Sequence, residues 1–192
     1  MPLLRNDIFY CDHLGASERD RNDVQKFSVK DVRGEGLVNY IRDYAFEDET
    51  RKRMRTYLVR SNSNSELVGY FSLKAGLISF NEGNSEEIAD FDTLPGIELA
   101  NFAVNNEYQK KNPSSKGLGL LIFNDFILPI VEDVSNRVGV EVLYIFALPF
   151  EGLIRQYRKY DFRRLDPQHE AELHRRLKPR YDSECIFMYQ ML

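Results

Sequence analysis

The segment Gln109-Lys110-Lys111-Asn112-Pro113-Ser114-Ser115-Lys116-Gly117-Leu118-Gly119 gathers residue types that hold a phosphate. It follows a strand-like run, Glu98 to Val104, and opens a long apolar-faced helix, Leu118 to Val134. The first amides of a helix point outward unpaired, and the helix dipole favours an anion there. Gly117 and Gly119 let a ligand approach the main chain closely. Lys110, Lys111 and Lys116 add positive charge. A phosphate-bearing ligand is the expected guest. The loop is not a Walker A loop, because no Gly-Lys-Ser/Thr closes it, and it lacks the third glycine of the dinucleotide fingerprint.

Two neighbouring segments give this loop a context. Glu98-Leu99-Ala100-Asn101-Phe102-Ala103-Val104 precedes it, and Gln156-Tyr157-Arg158-Lys159-Tyr160-Asp161-Phe162 follows the helix and one more strand. Together, from Glu98 to Phe162, they resemble the GNAT superfamily of acyl-CoA N-acyltransferases. That family's pyrophosphate motif is Gln/Arg-x-x-Gly-x-Gly/Ala. Gln109 stands where its Gln or Arg is expected, and the glycines arrive late, so the loop reads as expanded by Asn112-Pro113-Ser114-Ser115. Read without that expansion, Ser114 takes the Gln/Arg place. The last segment is similar to the family's Tyr-x-x-x-Gly-Phe ending, with Asp161 in place of glycine. A looser likeness extends to Val68-Gly69-Tyr70-Phe71-Ser72-Leu73.

The resemblance implies acetyl-CoA as co-substrate and a primary amine as acceptor. It implies that Gln109, Lys110, Lys111, Ser115, Lys116, Gly117, Leu118 and Gly119 hold the pyrophosphate. Main-chain N–H groups near Phe102, Ala103 and Val104 would polarise the thioester carbonyl. Glu98 stands where glutamate-base members carry their base. An alkylammonium, with a reference pKa near 10.4, must lose a proton before it attacks. Tyr157 stands where the family holds the tyrosine that protonates the departing CoA thiolate. Other readings stay open: Glu98 as a strand carboxylate paired with an arginine such as Arg155, Tyr157 as a core residue of an amphipathic helix, and Tyr160 as its competitor on the same face.

The elements that must position these residues are readable from periodicity. Leu37, Tyr40, Ile41 and Tyr44 share one face of a helix. Thr56–Val59 and Leu67–Leu73, separated by the polar Ser61–Ser65 turn, read as a hairpin. Residues 81–96 and 105–116 read as loops, and Pro129 is expected to kink the long helix. Val140–Leu148 reads as a strand, Leu153–Tyr160 as a helix, and Phe162–Leu165 and Cys185–Met191 as strands. Residues 166–182 read as a charged helical insertion, and the first 35 residues carry no clear pattern. The order gives an α/β mixed sheet, with a splayed parallel pair flanked by helices in the GNAT-like manner, in a single domain over residues 1–192.

Composition sets the outer limits. The chain has 192 residues, 43% hydrophobic and 12% aromatic, which excludes a disordered or disulfide-built protein. Cys11 and Cys185 read as free thiols of a reducing, cytoplasmic setting. No apolar stretch is long enough for a membrane span. His169 and His174 lie five apart, so they miss the four-residue spacing of a zinc helix, and no metal is expected. The net charge of −4 is sharply divided. Residues 80–107 carry Glu82, Glu86, Glu87, Asp90, Asp92, Glu98 and Glu107 with no base, a field that would attract a cationic amine. Arg51, Lys52, Arg53, Arg55, Arg155, Arg158, Lys159, Arg163, Arg164, Arg175 and Arg176 offer phosphate contacts. The layout of the first half is similar to the toxin-type members of the family, whose acceptor is aminoacyl-tRNA. That makes tRNA the alternative partner. A non-catalytic acyl-CoA-binding member is a third reading, and a homodimer stays open.

Overall fold

A computed structural model describes residues 2–81, 91–176 and 184–192, with residues 79–81, 91–92, 172 and 176 described by backbone alone. Among these, eight strands follow the order β1-β2-β3-β4-β5-β6-β8-β7 in one mixed sheet flanked by helices. The chain divides into two compact units. One comprises residues 1–74 and 99–130; the other comprises residues 75–98 and 131–192.

The first unit contains β1 (Leu4–Arg5), β2 (Phe9–His13), α1 (Asp20–Gln25), α2 (Glu35–Asn39), α3 (Ala45–Thr50), β3 (Arg55–Ser61) and the first half of β4 (Leu67–Asn81). The expected hairpin is present: β3 and β4 pair antiparallel, with Thr56 opposite Ser72. The patternless N-terminus supplies the edge strand β1 and its neighbour β2, because Cys11 pairs with Val59 and Leu4 with Cys11. Their strand character comes from the neighbour they join, which no local pattern reports. The apolar face over α2 and α3 differs from its expected phase. Tyr40 and Ile41 are fully buried, but Tyr44 is 47% exposed and Ala45 takes its inward place. A π turn at Tyr40–Tyr44 inserts the extra residue that shifts the face. The core joins Val24, Phe27, Tyr40, Ile41, Leu58, Tyr70 and their neighbours.

A buried ionic knot ties α1 to the hairpin. Arg60, on β3, is 3% exposed; its two terminal nitrogens meet Asp20 and Asp23, each at 2.7 Å. It also donates to the Ser65 carbonyl at 3.0 Å, while Asp20 accepts the Gly15 amide at 2.8 Å.

Both polar stretches read as loops are partly structured. β5 runs from Phe91 to Val104, so it begins well before Glu98. Asn106–Lys111 forms a helix, α4, because the Asn105 side chain accepts the Glu107 amide and caps it. Glu82, Glu86, Glu87 and Asp90 lie outside the described residues. The long helix comprises α5 (Leu118–Ile122), a π turn (Phe123–Ile127) and α6 (Leu128–Ser135). The π turn lies directly before Pro129, whose ring would clash with a carbonyl four residues back; the Leu128 amide instead bonds Phe123, five residues back.

The second unit contains the rest of β4 and β5, β6 (Val142–Ala147), α7 (Glu151–Arg158), β7 (Arg163–Arg164), α8 (Pro167–Arg176) and β8 (Ile186–Met191). Its core gathers Ile78, Val142, Tyr144, Leu173 and Phe187. Glu170 fastens α8 by accepting the Phe187 amide at 3.0 Å and pairing with Arg164 at 2.9 Å. β5 and β6 pair in parallel from Gly96↔Val142 to Glu98↔Tyr144. The ladder stops there, although β5 continues to Val104 and β6 to Ala147. Cys11 and Cys185 are buried free thiols. Among the described residues, no helix is long and apolar enough to cross a membrane, and no group of His, Cys, Asp and Glu forms a metal cage.

Candidate active site

The C-terminus of α7 explains the spacing of the Tyr157 motif. The Phe162 amide bonds the Tyr157 carbonyl at 3.1 Å, and the Asp161 amide bonds Arg158 at 3.2 Å. Asp161 lies at φ +64°, in the left-handed region. This is a Schellman ending, and it wants glycine at that place. It brings the Phe162 ring against the Tyr157 ring at a centroid distance of 5.5 Å, with Tyr160 on another side at 5.9 Å. A Tyr-x-x-x-Gly-Phe run is therefore a device that holds one tyrosine. Asp161, exposed and strained, is predicted to gain about 1 kcal/mol on Asp161→Gly. Urea unfolding checks this, and a loss of stability would refute the account.

Tyr157 is 3% exposed, and burial pushes its hydroxyl well above the usual phenol range. It therefore carries its proton at neutral pH. Tyr160, two residues beyond α7, accepts a hydrogen bond from the Gln156 side chain at 2.5 Å.

Glu98 is half-buried on β5, in the same unit as Tyr157. Directly across the ladder stands Tyr144, a residue that the sequence reading did not single out. Burial, then the Glu98 charge and a hydrogen bond to Glu98, raise the Tyr144 hydroxyl well above its ordinary value. Two mid-strand glycines make its seat. A Cβ on Gly76 would lie 1.9 Å from the Tyr144 oxygen, and one on Gly96 would lie 3.1 Å from its ring. Glycine inside a strand marks a close approach, which was the legible signal.

The proposed phosphate loop lies in the other unit. Gly117 sits at φ +74° and caps α5. The first intrahelical bond runs from the Leu121 amide to Gly117, so the amides of Gly117, Leu118, Gly119 and Leu120 precede the ladder and are available to an anion. Lys116 is exposed beside them and Ser115 is half-buried. The remaining members lie on other elements. Gln109, Lys110 and Lys111 belong to α4. Lys110 pairs with Glu107 at 2.9 Å and Lys111 pairs with Glu66. Phe102, Ala103 and Val104 lie on the part of β5 beyond the parallel ladder, where Gly69 of β4 packs so closely that a Cβ would meet the Ala103 carbonyl oxygen at 2.8 Å.

The basic residues fall into two groups. Arg51, Arg53 and Arg55 pair with Glu47, Asp48 and Glu49 at 2.9, 3.8 and 3.2 Å. Arg155, Arg158, Lys159, Arg163 and Arg175 are exposed and form no ion pair among the described residues. His169 pairs with Asp166 at the start of α8, whereas His174 packs its ring on Phe146 at 6.0 Å.

The architecture has close counterparts among solved structures. A tyrosine-to-phenylalanine mutant of the AtaT toxin, bound to the C-terminus of the antitoxin AtaR and acetyl-CoA, matches with TM-score 0.68 over 96% of this chain and 94% of that one. This chain has a GNAT-type fold. The identity is 17%, so the likeness is one of backbone. A tyrosine-to-phenylalanine mutant of KacT shares the fold at TM-score 0.67 and 15% identity, covering 96% of this chain and 95% of that one. AtaT complexed with acetyl-methionyl-tRNAfMet matches at TM-score 0.64 and 17% identity, covering 93% of each chain. No family model matches the sequence, and no curated protein matches it. Among the described residues, the one parallel pair in the sheet, β5–β6, is the parallel pair expected from the sequence.

Proposed function

We propose that the chain is an N-acetyltransferase that moves the acetyl group of acetyl-CoA to a primary amine in a ternary complex. One observation carries the reading most directly. The end of the parallel ladder releases Leu99–Val104 of β5, and that segment leads through α4 to the left-handed glycine that opens α5. Released strand amides suit the amides of a pantetheine arm, and the unbonded amides at Gly117 to Leu120 suit its pyrophosphate. Acetyl-CoA would supply the thioester. Glu98 would take the proton of the attacking amine, directly or through one water. The new C–N bond forms as the C–S bond breaks. Tyr157, kept protonated by burial, would donate a hydrogen bond to the sulfur as it gains charge. The products are the amide, free CoA thiol and one proton.

A second reading concerns the acceptor. The unpaired cations Arg155, Arg158, Lys159 and Arg163 line the end of α7 and β7, and they favour a polyanionic acceptor, the amino group of an aminoacyl-tRNA. AtaT has been captured with acetyl-methionyl-tRNAfMet, which supports the same direction. Thiol release from acetyl-CoA, measured against spermidine, a lysine peptide and methionyl-tRNA, tests both readings. Acetyl-CoA binding without thiol release for any acceptor would favour the non-catalytic alternative. If tRNA is the acceptor, Arg155→Ala, Arg158→Ala and Arg163→Ala each raise its KM several-fold and flatten its salt dependence by about one unit of slope. Equal effects on spermidine would refute a phosphate role.

A further inference from the structure

We propose that Tyr144 is a positioning residue for Glu98, holding its carboxylate by a hydrogen bond from a hydroxyl seated over Gly76. The proposal rests on the acetyl-transfer reading, in which Glu98 is the base. The parallel register fixes the pair: Glu98 and Tyr144 are direct partners, so their side chains leave the same face of the sheet. The Tyr144 ring is 2% exposed and walled by Phe146 at 6.2 Å and Phe187 at 5.6 Å. A buried phenol of this kind needs a polar partner for its hydroxyl, and Glu98 is the carboxylate set directly beside it in the ladder.

The seat is built at a cost. Gly76 on β4 and Gly96 on β5 both stand inside strands, where glycine weakens the ladder and loses side-chain packing. Any side chain at Gly76 would strike the Tyr144 oxygen, whereas one at Gly96 would meet Val142 at 2.8 Å and the Tyr144 ring at 3.1 Å. The consequence for Glu98 is directional. A phenol fixed beside the carboxylate restricts its rotation. A base fixed in this way loses little conformational freedom in the transition state.

Among the described residues, further titratable groups stand on the elements around the pair. Lys74 stands two residues before Gly76 on the same face of β4. Tyr189 of β8 is the partner of Tyr144 on its other side. α8 contributes His174, against Phe146, and Glu170, which is engaged by Arg164 and the Phe187 amide. Tyr144→Phe removes none of these.

The test is a titration of the Glu98 carboxyl carbon by NMR in the full chain, which needs no acceptor. Losing a hydrogen bond that favours the charged form raises the Glu98 midpoint, by about one pH unit, in Tyr144→Phe. Gly76→Ala displaces the hydroxyl and shifts the midpoint in the same direction. An unchanged midpoint in Tyr144→Phe overturns the proposal. With acetyl-CoA and either spermidine or methionyl-tRNA, Tyr144→Phe lowers kcat by about tenfold and leaves the acetyl-CoA KM within about twofold. On a Glu98→Gln background it has no further effect. A full Tyr144→Phe loss on that background also overturns the proposal. A Glu98→Gln chain with wild-type turnover refutes Glu98 as base, which is failure of the underlying reading. The titration still decides the Tyr144–Glu98 coupling in that case.

Discussion

Arg60→Ala is expected to lower the unfolding free energy by about 3–5 kcal/mol. The magnitude follows from what the substitution leaves behind. Asp20 is 2% exposed, and both it and Asp23 meet Arg60 nitrogens at 2.7 Å. Without the guanidinium, the buried Asp20 carboxylate has no cation among the described residues, while the partly exposed Asp23 keeps Arg19 at 3.1 Å. An uncompensated buried charge costs far more than an exposed pair contributes. Such a loss is a large fraction of a domain stability of about 5–15 kcal/mol. The damage also spreads: the knot joins β3, α1 and the Ser65 turn, so α1 and the Gly15 turn lose their attachment together. Arg60→Met combined with Asp20→Asn and Asp23→Asn is expected to recover part of the loss, because it removes the stranded charges. Urea denaturation measures both variants. A cost for Arg60→Ala below about 1 kcal/mol, the range of an exposed pair, would show that the knot is solvated.

Tyr157→Phe is expected to lower kcat by about a hundredfold while the acetyl-CoA KM changes little. The ring keeps its packing against Phe162 and Tyr160, so the fold and the Schellman ending survive. Only the hydroxyl is lost, and under the proposed mechanism it engages the sulfur only as the C–S bond breaks. An interaction made in the transition state and absent from the ground state appears in kcat. The effect is expected to be larger for the acetyl transfer step than for release of CoA, so single-turnover rates are the sharper measurement. Tyr160→Phe is the control, since that hydroxyl is bound by Gln156. Unaltered turnover in Tyr157→Phe, or an equal loss in Tyr160→Phe, would remove Tyr157 from the chemistry.

The parts of this fold that could be read from the sequence are those where local pattern and tertiary role coincide. The β3–β4 hairpin announced itself by two apolar runs around a serine- and asparagine-rich turn. The loop before α5 announced itself by its glycines, and Gly117 does hold a left-handed conformation. Elsewhere a competing effect won. Residues 105–116 are polar enough for a loop, yet the Asn105 cap turns half of them into α4, and two of the three lysines there are committed to Glu107 and Glu66. Tyr44 belongs to the apolar face by spacing and leaves it because a π turn changes the phase. The run Arg51 to Arg55 looked available to phosphates, but α3, just before it, supplies the carboxylates that pair three of its arginines.

The sequence by itself determined the β3–β4 hairpin, the glycine loop at the start of α5, and the five-residue spacing that ties Tyr157 to Phe162. All three depend on residues near one another in the chain, where turn chemistry and helix geometry act directly. Tertiary structure alone decided that Tyr144 faces Glu98, that Gly76 and Gly96 exist to seat its ring, and that Arg60 is shared by two aspartates. Each of these is a contact between segments far apart in sequence. Strand register and burial set them, and no local periodicity encodes which strand will lie beside which.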